Sequence, residues 1–78
     1  DGRRTDALEQ LTRSLAQDWG IDRRGRTLVM LTTQALDGNL PVPPSALNMA
    51  KRVAKQLNKQ AASPPTELAA AITRVLAA

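Results

Sequence analysis

Lys51, Arg52, Lys55 and Lys59 stand within nine residues of one another, and the chemistry open to them is the binding of anions. Their spacings of one, three and four residues gather them on one side of a helix, together with Asn48. Leu47, Ala50, Val53, Ala54 and Leu57 fall on the opposite side, so a helix over 44–60 has one face for a core and one for water or an anion. Each cation can neutralise a phosphate. The amides of Asn48 and Gln56 can donate and accept hydrogen bonds at base or sugar edges. A second cluster, Arg23, Arg24 and Arg26, lies where a helix is expected to begin and so opposes the positive end of the helix dipole. Either these arginines contact an anion, or they form an exposed loop and the helix starts near Thr27.

Charge is segregated along the chain. Residues 1–22 carry three arginines against five carboxylates, a net of −2, whereas residues 23–59 carry seven cations against Asp37 alone, a net of +6. Residues 60–78 cancel, Arg74 against Glu67. A solvated helix face ordinarily mixes signs, but Ser45 to Gln60 contains no Asp or Glu. An acid-free basic segment is the footprint expected for an acidic partner, with nucleic acid the commonest. The expectation is a DNA-binding domain in which four to seven phosphate contacts give a slope of log affinity against log salt of about −4 to −6. RNA single strands fit less well, because there is one Trp and neither Phe nor Tyr to stack on bases. The alternative is a protein-interaction module, or a self-associating one, that uses the Ala- and Leu-rich helix at 65–77. A membrane surface is not expected as partner, since bulky apolar residues beside the basic face are lacking.

Other chemistries lack their residues. With no His, Cys or Tyr, the common general bases, thiol nucleophiles and soft metal ligands are missing, and the carboxylates do not cluster beyond helix capping. There is no phosphate-cradling glycine loop. Neither an enzyme, a small-molecule substrate, a cofactor nor a metal is expected. Absence of cysteine gives no support for an oxidising compartment, and a cytoplasmic location is the simpler expectation. No apolar run approaches the roughly 20 residues of a membrane-spanning helix. A chain that opens on Asp1 suits an excised domain or a processed product.

The elements that must position these groups read as an all-α fold, a compact bundle of four short helices near 6–19, 24–37, 44–60 and 65–77. Residues 1–5 form a flexible lead-in and residues 6–78 a single helical domain. Asp6 and Glu9 make a capping-box pair, and Leu8, Leu11, Leu15, Ala16 and Trp19 follow at helical spacing, with Trp19 as a core anchor. Asp22 is the next candidate cap, and Gly25 weakens the following turn by about 1 kcal/mol relative to Ala. Leu28, Leu31, Ala35 and Leu36 share one face, and Asp37-Gly38-Asn39 stops the helix. Pro41, Pro43 and Pro44 enforce an extended connector from which Leu40 and Val42 pack down. Ser63 can cap the last helix, whose apolar stripe is Leu68, Ile72, Val75 and Leu76. PPSAL at 43–47 and PPTEL at 64–68 echo each other without extending into a repeat.

Residues 14–31, SLAQDWGIDRRGRTLVML, resemble a helix-turn-helix motif in having Ala16 and Gly20 four apart with Ile21 in the turn. The likeness covers under a quarter of the chain and departs at Arg26, where the motif needs a buried aliphatic residue. The bundle is therefore expected to be helix-turn-helix-like in this pair, with no role carried over to single residues.

Overall fold

Leucine, valine and alanine at three- and four-residue spacings give each segment one apolar stripe, and the stripes are buried by packing helix on helix. The computed structural model describes residues 2–17, 21–60 and 65–78. Over these residues the chain forms α1 (Gly2–Gln17), a π-helical turn (Ile21–Gly25) continuous with α2 (Arg26–Asp37), α3 (Pro44–Gln60) and α4 (Thr66–Leu76). The all-α fold of four short helices is as expected.

The starts of α1, α2 and α4 differ from those expected. Helix α1 begins at Gly2, so Arg3 to Thr5, expected as lead-in, are helical and Asp6 lies inside the helix, where the expected capping box does not form. No proline interrupts 2–6, and Arg is a good helix former, so nothing local halts the helix before Gly2. Helix α4 starts at Thr66 after Pro65, which takes ψ 148° and makes no side-chain cap. The expected roles of Trp19 and Ser63 fall outside the described residues.

The middle of the molecule is the α2–α3 pair. Each of these helices packs against both α1 and α4, whereas among the described residues α1 and α4 make no close approach. Leu8 and Leu15 enter the core from one side, and Leu68, Ala71, Ile72 and Val75 from the other. Between them lie Leu28, Val29 and Ala35 of α2 and Ala46, Ala50, Val53 and Ala54 of α3, all fully buried. Alanine on the inner side of α3 brings neighbouring backbones close, because interaxial distance follows side-chain size. The radius of gyration is 11.3 Å. A single compact domain of this length should give about 11.5 Å.

The expected helix stop at 37–39 is a Schellman motif. The Leu40 N–H donates to the Ala35 carbonyl at 2.8 Å and the Asn39 N–H to the Leu36 carbonyl at 3.2 Å. Asn39, at φ 55°, occupies the left-handed position, while Gly38 stays at φ −88°. Leu40 and Val42 pack against the core, as expected of the connector. Pro44 then opens α3, and the Pro43 carbonyl accepts the first helical bond from the Leu47 N–H at 3.0 Å. Proline suits this first position because its missing donor has no partner there.

Candidate nucleic-acid interface

Helix α3 runs from Pro44 to Gln60, with the bounds the sequence suggests. Its buried side is Ala46, Met49, Ala50, Val53, Ala54 and Leu57. Leu47, expected among them, is only half-buried. The inward sector is rotated toward Ala46 and Met49 because α3 is gripped by α1, α2 and α4 and not by one neighbour alone. The outward side carries Asn48, Arg52, Lys55 and Lys59, all exposed, with Lys51 half-buried on one flank and Gln56 on the other. The charged residues singled out on α3 thus form one continuous stripe two helical turns long and more, as 3.6-residue periodicity demands.

The Arg23 to Arg26 cluster is not the exposed loop of the second alternative. Arg23 and Arg24 lie in the π-helical turn and Arg26 is the first residue of α2, so they belong to one helical segment that enters through a wider turn. The turn packs against α1, α2 and α3, which sets this second basic cluster beside the basic helix. Within it the three arginines diverge. Arg23 and Arg26 are exposed, whereas Arg24 is half-buried and donates from Nη1 to Ser14 Oγ on α1. Gly25 is buried where the π-helical turn joins α2. Thr27 Oγ1 donates to the Arg23 carbonyl at 2.9 Å and closes the turn on α2.

The stretch that resembles a helix-turn-helix covers the end of α1, the π-helical turn and the first part of α2. Arg26 points to solvent, and burial passes to Gly25 and Leu28 on either side of it. Between α1 and α3 a depression is lined by Leu15, Ala16, Met49 and Arg52. Ala16, expected on the apolar face of its helix, is exposed at this edge. Arg52 is therefore both exposed and held, since it also interacts within the fold, as does Arg24.

No acidic residue lies on α3, and one, Asp22, lies in the π-helical turn packed against it. Asp6 and Glu9 lie on α1, Asp37 ends α2, and Glu67 opens α4. Asp37 Oδ1 accepts from Arg74 Nε at 3.1 Å, an exposed pair that ties the end of α2 to the end of α4. Among the described residues no three acidic side chains come together to hold a metal ion. No described helix is long and apolar enough to cross a membrane. Comparison with protein-family models, curated proteins and solved structures gives no match to this chain.

Proposed function

We propose that this chain is a nucleic-acid-binding domain, with duplex DNA as its principal partner. The observation that supports it is the outward stripe of α3, where Asn48, Arg52, Lys55 and Lys59 are exposed on a helix that contains no acidic residue. Lys51 extends the stripe on one flank, and Arg23 and Arg26 add charge from the adjacent π-helical turn and α2. In this reading the cations neutralise phosphates and release counterions, which supplies affinity independent of sequence. A chain with no cysteine suits the reducing cytoplasm in which such binding takes place.

Binding of a fluorescently labelled random duplex, followed by anisotropy across a salt series, tests the reading. Four to seven phosphate contacts give a log–log slope of about −4 to −6. An absence of association at about 50 mM salt, where electrostatic binding is strong, would falsify the proposal in its general form.

One further observation favours a second reading, in which copies of the chain pair through α4. The outer side of α4 exposes Thr66, Ala70, Thr73 and Ala77, and these line a shallow apolar surface. Glu67 and Arg74 are both exposed, seven residues apart, and so share a flank of this side. In an antiparallel pair of α4 helices Glu67 would approach the Arg74 of the other copy, which is already paired with its own Asp37. The two readings use different helices and are compatible.

A further inference from the structure

The outward stripe of α3 is graded in two directions, and both gradients bear on what it can read. Around the helix, at 100° per residue, Asn48, Lys55 and Lys59 lie within about 40° of one another and form a centre line. Arg52 stands to one side of that line and Lys51 to the other, half-buried. Along the helix, the first half of the stripe is short-chained, Ser45 and Asn48, and the second half long-chained, Lys55 and Lys59. A helix with this taper can bring its N-terminal half closest to an opposing surface.

The major groove of duplex DNA, about 12 Å wide, matches this layout. The centre line of a helix lying in it faces the base edges, and the flanks face the phosphates of the two walls. Asn48 is exposed, and among the described residues its amide holds no hydrogen bond within the fold. An asparagine amide offers a donor and an acceptor side by side, the complement of adenine N6 and N7. A lysine ammonium donates to guanine O6 and N7. Asn48 and Lys55 are seven residues apart, a rise of about 10.5 Å, which is close to three base-pair steps of about 3.4 Å. Arg52 lines the depression beside Leu15, Ala16 and Met49, so the body of the domain directs this flank of the stripe.

Resting on the nucleic-acid reading above, we infer that α3 enters the major groove and reads sequence there. Asn48 takes an adenine, Lys55 takes a guanine three base pairs away, and Lys51 and Arg52, on the flanks, hold phosphates. The partner is thus a duplex with a preferred sequence, and Asn48 and Lys55 determine the preference.

Affinity selection from a random duplex library, with the intact chain and with Asn48→Ala and Lys51→Ala, tests this. The expected result is enrichment of adenine and guanine three positions apart. Asn48→Ala should lose the adenine preference alone, a discrimination of about 5- to 150-fold, with the salt slope unchanged. Lys51→Ala should weaken binding to all sequences alike and lower the slope by about one. Both variants place the best helix former at a helical position, exposed at 48 and half-buried at 51, and circular dichroism verifies that they fold. Salt-dependent binding without sequence enrichment overturns groove reading and leaves nucleic-acid binding standing. Enrichment that Asn48→Ala does not alter overturns the assignment of the reading residue. Preference for single strands overturns the duplex partner, and no binding to any nucleic acid overturns both readings.

Discussion

Thr32 is the buried polar residue of the described core, fully enclosed, and its Oγ1 donates to the Leu28 carbonyl at 2.7 Å. The bond satisfies the hydroxyl without leaving α2, so its shape matters more than its polarity. Thr32→Val keeps the volume and removes the group that needs a partner, and it should change stability by less than about 1 kcal/mol. Thr32→Ala removes packed methyl volume as well and should cost about 1–2 kcal/mol. Urea unfolding of the pair checks this, and equal losses would show that the hydroxyl and not the methyl carries the contribution. Thr32 was absent from the apolar stripe read from the sequence, where threonine counts as polar. Its place four residues after Leu28 and three before Ala35 was the available signal. Arg24 shows the opposite limit. Nothing in the sequence separates it from Arg23 and Arg26, yet it turns inward to Ser14 on α1 while they face solvent.

Among the elements, the end of α2 is best defined by its hydrogen bonds. Asp37-Gly38-Asn39 is legible as a stop, but glycine is the usual left-handed residue of such motifs, and here that position belongs to Asn39 at φ 55°. Leu40, the residue after it, packs against the core and fixes which residue must turn. Asn39→Ala should therefore destabilise by about 1 kcal/mol through left-handed strain, while Asn39→Gly should be neutral or slightly stabilising. Thermal melts of the two variants distinguish them, and an alanine as stable as glycine would place the strain elsewhere. Helix α3 was legible to its bounds because proline opens it and a regular two-faced pattern fills it. The π-helical turn was not, since the local sequence IDRRG supports either a loop or a helix start, and its packing against three helices selects the outcome.

For the whole molecule, segregation of charge has a consequence for assembly. The basic stripe is on α3, while α4 carries one acid, Glu67, and one base, Arg74, which is paired with Asp37 of α2, so copies can approach through α4 without opposing their basic stripes. An 11-residue helix side is small against the roughly 800 Å² per partner of a stable interface, so pairing through it should be weak. Sedimentation velocity should find a monomer at low micromolar concentration and a reversible dimer on the order of hundreds of micromolar. Ala70→Glu should abolish the dimer, and a chain that stays monomeric throughout that range would rule the α4 reading out.

The amino-acid sequence by itself determined the fold class, the limits of α3, the stripe of cations on one side of it and the lack of residues for most catalytic chemistry. These follow from local causes: periodicity, proline placement and composition. Tertiary packing decided the rest. It rotated α3 so that Ala46 and Met49 went in and Leu47 stayed at the edge, and it turned Arg24 away from the cluster that its neighbours form. It also set the π-helical turn against α3. Each of these depends on where several helices meet, and side chains of one type at adjacent positions carry no local record of which neighbour they will face.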